Sequence, residues 1–270
     1  MKYSELPIGV EIYTVREAFA ADAASALRRI REIGYDGVEF WDPNYELDPV
    51  FLKEALQKNG LACYGILSNW KRFQPEELEK TVQWNQALGN RYLAIGSLSA
   101  EQTKDKASLY DCIAFMNALL EKVKPLGFTM GYHNHASDFR EIEGKTIWDH
   151  VFENTPADFQ MVLDTGNAVA GGGDPIGSLK KYPGRQEWMH IKPYSATKFW
   201  ETGYDAMIGE DDFDWQQLIR TCVETGGCRV LTVEYGNRGR FQPFYGAHLC
   251  IKHLKEILNA MDRKGENKNV

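Results

Sequence analysis

Two histidines stand two residues apart at the end of an apolar run, Phe128-Thr129-Met130-Gly131-Tyr132-His133-Asn134-His135. In an extended strand residues i and i+2 share a face, so His133 and His135 point the same way as Thr129 and Gly131. Three further strand-like runs end on groups of the same kind: Met161-Val162-Leu163-Asp164, Trp188-Met189-His190-Ile191-Lys192 and Leu231-Thr232-Val233-Glu234. Imidazole and carboxylate at successive strand ends make a metal-ligand set once a fold gathers them. Mixed nitrogen and oxygen donors suit Zn, Mn, Co or Fe(II) better than Ca or Mg alone; the expected cofactor is one divalent metal ion, Mn, Zn, Co, Fe or Mg. Such an ion chelates the carbonyl and a neighbouring hydroxyl of a sugar and polarises the carbonyl. The adjacent C–H becomes acidic, and a carboxylate beside the metal can move its proton. Glu234 is the expected base, able also to ligate the metal.

Gathering four strand ends requires a fold that aims them at one place. Strand patterns recur at residues 8–13, 37–41, 61–67, 91–96, 128–135, 159–164, 187–191 and 229–235. Helical patterns lie between them. Asp22 precedes a helix with Ala23, Leu27, Ile30 and Ile33 on one stripe, closed by Gly34; Asp48-Pro49 opens a second that Gly60 closes. A third runs from Pro75, with Glu76 and Glu77 suited to its N-terminal dipole, to Gly89. A longer one spans 106–124, short ones fall at 147–152 and after Asp174-Pro175, Asp214 caps another that ends at Gly226-Gly227, and 243–261 closes the chain. Residues 192–212 have little periodicity and read as a loop passing over the site. Eight strand–helix units at intervals of roughly thirty residues predict an α/β chain forming one (β/α)8 TIM barrel over 1–270, with a polar tail from about 262. A doubly wound sheet lacks its G-x-G-x-x-G fingerprint after the first strand. In a barrel the C-terminal strand ends share one catalytic face, which here would carry Glu11, Glu39, His133, His135, Asp164, His190, Lys192 and Glu234.

Composition removes other classes. With 43% hydrophobic residues the chain can bury a sizeable core. A net charge of −7 leaves no footprint for a nucleic-acid backbone. No apolar run reaches membrane-span length, and the first residues lack the apolar stretch of a signal peptide. Cys63, Cys112, Cys222, Cys228 and Cys250 are odd in number and scattered, so they read as small buried hydrophobes in a reducing compartment. A cytoplasmic protein is expected.

Each candidate also has a plain structural reading. Glu11 and Glu39 would contact substrate hydroxyls or pair with Arg16 or Lys192. Lys192 would hold a hydroxyl, carboxylate or phosphate, or neutralise the carboxylates around it. Asp164 would cap the Gly166-Asn167 turn, and Glu234 would bridge to Lys192 or Arg238. His133 and His135 stand level as ligands, while His150, His248 and His253 lie on helices and read as surface or packing residues. Trp41, Trp70, Phe73, Tyr194, Phe199 and Trp200 occupy post-strand loops, where aromatics stack on sugars or plug the barrel. Gly171-Gly172-Gly173 lacks the Lys-Ser/Thr of a phosphate loop.

The same residues carry a resemblance. Tyr132-His133-Asn134-His135, Leu163-Asp164-Thr165-Gly166-Asn167, His190-Ile191-Lys192 and Val233-Glu234, with Gly34-Tyr35-Asp36-Gly37-Val38-Glu39 near the start, resemble the sugar phosphate isomerase/epimerase proteins of the xylose-isomerase-like TIM barrel superfamily. The resemblance spans residues 8–258 and is specific as a set. It implies one divalent cation held on strands five to eight, with Asp164, His190 and Glu234 matching and His133 standing where the ketohexose 3-epimerases have Glu. In those epimerases that Glu is both ligand and one of two acid/base carboxylates. Here His133 or His135 would ligate or carry a proton, or Asp138 would supply the carboxylate from the loop; His135 and Asn167 are candidate substrate contacts. The expectation is an isomerase or epimerase of a free or phosphorylated sugar, with a lyase or dehydratase of a keto-sugar, keto-glycoside or keto-inositol second. The expected partner is a small carbohydrate, without nucleic acid or membrane; a homo-oligomer would use Phe241, Phe244 and Tyr245. An abasic-site endonuclease on this barrel would need a basic surface and more ligands than six histidines in an acidic chain offer. A degenerate binding barrel is opposed by the retained Asp164, His190 and Glu234.

Overall fold

The computed structural model describes residues 2–198, 202–236 and 239–266. Eight strands form one parallel sheet: β1 Ile8–Glu11, β2 Gly37–Trp41, β3 Ala62–Ser68, β4 Tyr92–Ile95, β5 Thr129–His133, β6 Gln160–Val162, β7 Trp188–Ile191 and β8 Val230–Val233. Their spatial order is β6-β5-β4-β3-β2-β1-β8-β7, and a single bridge between Asp164 and His190 joins the two edges. The chain is thus a TIM barrel, as its pattern of strands and helices predicts. Its helices are α1 Arg16–Ala21, α2 Ala23–Glu32, α3 Pro49–Asn59, α4 Pro75–Leu88, α5 Lys106–Val123, α6 Ile147–Glu153, α7 Thr165–Ala170, α8 Pro175–Lys181, α9 Trp215–Thr221 and α10 Pro243–Glu266.

Local chemistry sets these boundaries. Asp22, Asp48, Asp105, Asp174 and Asp214 each accept a backbone N–H in the first turn of the helix that follows. Gly60 and Gly89 close α3 and α4 in the left-handed conformation. The main core lies between strands and helices, where Val10, Phe40, Ile66, Leu93, Met130 and Met161 meet Leu27, Leu52, Ile113 and Leu254. A smaller cluster of Leu67, Ala94, Val162 and Trp188 fills the barrel itself. Register between β2 and β3 slips by one residue after Val38, leaving Tyr64 without a partner. Its ring lies against Gly9 and Gly37, where an added Cβ would come within 2.7 and 2.4 Å of it.

Several elements differ from expectation. Residues 16–21 and 165–170, read as loop and turn, are the short helices α1 and α7. An unexpected two-residue-per-strand hairpin, Glu141–Ile142 with Lys145–Thr146, follows β5. The last helix runs to Glu266, past the expected end at 261, and Asp262 accepts hydrogen bonds from the backbone of Tyr3 and Ser4. The triple glycine fits as packing: an added Cβ at Gly171 would lie 2.2 Å from the Ala136 carbonyl, and one at Gly173 2.1 Å from the Phe139 ring. No helix among the described residues is long and apolar enough to cross a membrane.

Candidate metal and substrate site

The C-terminal ends of β5, β6, β7 and β8 bring His133, Asp164, His190 and Glu234 together, one ligand atom from each lying within 4.8 Å of all the others. All four side chains are buried. His133 Nε2 is 3.6 Å from Asp164 Oδ2 and 4.0 Å from Glu234 Oε2. His190 Nδ1 is 3.8 Å from Asp164 Oδ2 and 3.1 Å from Glu234 Oε2.

Each donor is aimed by a second group. His133 Nδ1–H donates to the Gly96 carbonyl at 3.2 Å, the tautomer that leaves Nε2 bare and facing inward. His190 Nε2–H donates to Glu39 at 2.5 Å, which turns Nδ1 toward the centre of the cluster, 3.1 Å from Glu234 Oε2. Asp164 Oδ1 accepts the Asn167 N–H at 2.6 Å as the cap of α7 and leaves Oδ2 free. Asn134 locks Asp164 in place by accepting its N–H at 2.8 Å and donating to its carbonyl at 3.1 Å. Among the described residues His133 Nε2 and Asp164 Oδ2 are buried atoms without a hydrogen-bond partner, and both face the same centre.

The charges ask for a cation too. Glu11, Glu39, Asp164 and Glu234 are buried together, answered by one buried lysine, Lys192. Lys192 Nζ lies 2.6 Å from Glu234 Oε1 and 3.5 Å from Asp164 Oδ2. Burial by itself would lower the Lys192 and His190 pKa values, but the surrounding carboxylates outweigh it and hold both above their ordinary ranges. Glu234 is held well below the usual carboxylate range, burial being overcome by Lys192 and His190. Surroundings that favour a proton on His190 favour a metal cation in its place. The donor set, its unpartnered atoms and the excess of buried carboxylates therefore fit one divalent ion bound by His133, Asp164, His190 and Glu234.

A cavity of about 510 Å³ opens above these residues, within the range of small-molecule sites. Glu11 and His135 reach it from opposite walls, because β1 and β5 stand four strands apart in either direction round the barrel. Glu11 is buried with Oε2 unpartnered, and burial followed by the Glu234 charge pushes its carboxyl well up. The His135 ring is crowded enough, first by burial and then by His133, to disfavour its charged form, while its edge stays exposed to the cavity. Tyr13 and Trp41 pack edge to face at 5.1 Å along another wall, and Tyr204 lines a third, its hydroxyl donating to Asn167 Oδ1 at 3.0 Å.

The other residues singled out in the sequence fall as follows. Glu39 lies beneath the floor, accepting from Trp188 Nε1 at 3.1 Å as well as from His190, so it supports a ligand instead of touching substrate. Asn167 lines the cavity, but its amide is engaged by Asn134 and Tyr204. Asp138 is buried between the Tyr132 hydroxyl and the His135 N–H and is no part of the cavity lining, so the loop does not supply the missing carboxylate. Trp70 packs on Phe115, Phe73 belongs to the outer core and Tyr194 meets Tyr204 edge-on. Phe199, Trp200 and Arg238 lie outside the described residues. His150 is buried and donates to the Ile142 carbonyl, His253 donates to the Ile208 carbonyl, and His248 is exposed. Tyr245 is exposed while Phe241 and Phe244 pack partly on the core. Tyr13, Tyr204 and Asn134 escaped the sequence reading; only Asn134, between the two histidines, carried a signal there.

A family model described as xylose isomerase-like TIM barrel matches residues 27–261. An inosose dehydratase of Geobacillus kaustophilus is 26% identical over 188 residues, covering 62% of this chain and 60% of the dehydratase. A sugar phosphate isomerase/epimerase structure from Parabacteroides distasonis superposes with a TM-score of 0.77 at 18% identity, over 92% of this chain and 97% of that one. An L-ribulose 3-epimerase structure gives 0.72 at 15% identity, with 98% of each chain covered.

Proposed function

Because this chain belongs to the xylose isomerase-like TIM barrel family, we propose that it is a divalent-metal-dependent isomerase or epimerase of a sugar or sugar phosphate. The observation that carries this reading is the convergence of His133 Nε2 and Asp164 Oδ2, buried and unpartnered, with His190 and Glu234 at the floor of an open cavity. When bound there, a divalent cation supplies Lewis-acid polarisation of a substrate carbonyl and its neighbouring hydroxyl.

The protein's own groups divide the remaining work. With one oxygen on Lys192 at 2.6 Å and the other 3.1 Å from His190 Nδ1, Glu234 has both oxygens taken up within the site. Its place is that of ligand and anchor. The groups free to exchange protons with a sugar are Glu11 and His135, which face each other across the cavity. Neutral His135 accepts the proton of the carbon beside the carbonyl, and protonated Glu11 returns one to the opposite face. This pair takes the role that two carboxylates would otherwise fill, so His133 in place of Glu leaves two-faced proton transfer intact. Trp41, set edge to face against Tyr13, offers an aromatic surface for the sugar ring.

A second reading, a lyase or dehydratase of a keto-sugar or keto-inositol, is favoured by the inosose dehydratase match; there Glu11 would protonate the departing hydroxyl. One experiment separates the two. Protein loaded with Mn, Zn, Co or Mg is incubated in deuterated water with free and phosphorylated ketopentoses and ketohexoses and with keto-inositols, and followed by NMR. Deuterium entering the carbon beside the carbonyl with the formula retained supports the isomerase; loss of water supports the lyase. Failure to bind about one metal ion per chain would refute both.

A further inference from the structure

Among the described residues two cations line the cavity, Arg16 and Lys192. Lys192 is committed to Glu234 and Asp164. Arg16 is not committed to any acid: among the described residues no carboxylate pairs with it, and its Nη1–H donates to the Tyr13 carbonyl at 3.0 Å. Its guanidinium also lies over the Tyr13 ring, 4.3 Å from the centroid. A carbonyl on one edge and a ring beneath fix the fork in place on the cavity wall, with N–H groups to spare for a ligand. Nothing local accounts for a cation here. Arg16 is the first residue of α1, where the helix dipole opposes positive charge. The neighbouring Glu17 shares an adjoining surface recess with it but makes no pair. Asp42, the other acid at this side of the cavity, is taken by Arg72 at 3.1 Å.

We propose that the substrate carries an oxyanion, a carboxylate or a phosphate, received by the Arg16 guanidinium on the outer wall of the cavity. This rests on the reading of the cavity as a sugar site. Arg16 follows the turn that leaves β1, so it stands above Glu11 and away from the floor where His133 and Asp164 meet. The anionic group therefore belongs at the end of the sugar remote from the reacting carbonyl. In a chain of net charge −7 whose cavity walls carry Asp42 and Glu234, such a ligand would be repelled without a cation kept free for it. A planar, anchored fork is the group that binds an oxyanion through two parallel hydrogen bonds.

Isothermal titration of the manganese-loaded protein with D-fructose, D-fructuronate and D-fructose 6-phosphate compares a neutral 2-ketose with one bearing a carboxylate and one bearing a phosphate at the carbon farthest from the carbonyl. Charge-assisted hydrogen bonds predict that at least one anionic sugar binds about tenfold to a hundredfold more tightly than D-fructose; which one does so identifies the group. Arg16→Gln, checked for folding by its thermal transition, brings that ratio close to one, and Arg16→Lys restores part of it. Equal binding of all three sugars, no anion-dependent binding, or a preference that survives in Arg16→Gln would overturn the proposal; in the last case the bound metal holds the anion. Should the protein take up none of Mn, Zn, Co and Mg, the sugar-isomerase reading fails on that result alone. Titrating the metal-free protein and its Arg16→Gln variant with the same anions then decides the role of Arg16 by itself.

Discussion

Glu39→Gln removes one charge from beneath His190 and leaves every direct ligand untouched, which makes it a sharp test of the metal site. Glu39 is fully buried, with Oε1 accepting from Trp188 Nε1 at 3.1 Å and Oε2 from His190 Nε2 at 2.5 Å. A glutamine has one acceptor for these two donors. If its oxygen stays on Trp188, its NH2 meets His190 Nε2, which must shed its proton; the proton then sits on Nδ1, the atom aimed at the metal. If the oxygen turns to His190, an N–H is set against the Trp188 N–H and both are left buried without acceptors. Either arrangement costs about 1–3 kcal/mol. Loss of a carboxylate behind a ligating histidine lowers metal affinity roughly 10–100-fold, or about 1.4–2.7 kcal/mol at 1.4 kcal/mol per decade, so the two routes agree. Competition for zinc against a chromophoric chelator measures the affinity directly, with the metal-free thermal transition recorded alongside to separate misfolding from weak binding. A Glu39→Gln protein that folds normally and binds zinc within twofold of wild type would show that Glu39 does not orient His190.

Four other substitutions probe separate parts of the structure. His133→Ala should weaken metal binding by more than about tenfold, while His135→Ala should leave it within about threefold and abolish solvent deuterium exchange into substrate; the reverse pattern in the same titrations would exchange their roles. Asp211 is raised to about 7 by burial despite two hydrogen bonds from Trp215 Nε1. The native state therefore keeps a proton that the unfolded chain has lost, and stability contributed by this group falls as pH rises from about 4 to about 7. Partial exposure reduces the effect to on the order of 1–2 kcal/mol, so Asp211→Asn should flatten the denaturant midpoint against pH across that window; an unchanged slope would rule the group out. Gly171→Ala must push its methyl group into the Ala136 carbonyl, at about 2 kcal/mol and a fall in Tm of about 4 °C or more, readable by calorimetry.

What the sequence disclosed and what it withheld follow from the range of the interactions. The ligand positions were legible because period-two strands put their last residues at one rim, and Asp164, His190 and Glu234 each end such a run. The choice between His133 and His135 was not, since both share a face; it is decided by the Gly96 carbonyl on β4's exit and by chain direction beyond His133, which turns His135 outward. Glu39 read as a substrate contact because its partners Trp188 and His190 lie 149 and 151 residues away. Helices α1 and α7 are six residues each, too short to show a period, and their boundaries depend on capping by Asp164 and on packing instead of propensity. The bulge at Tyr64 left no mark at all, for nothing near it in sequence reveals that Gly9 and Gly37 are its bed.

The barrel closes through a single bridge, and that bridge joins two of the residues in the donor cluster, Asp164 and His190. His133 and Asp164 belong to one side of this seam, His190 and Glu234 to the other. A cation coordinated by all four would therefore act as a clasp across the one place where the hoop of strands has little backbone bonding to keep it shut. Closing the hoop and filling the site become a single equilibrium, each drawing the other forward. Amide protons along β6 and β7 are where that clasp would be felt first, exchanging quickly when it is undone and slowly when it is fastened.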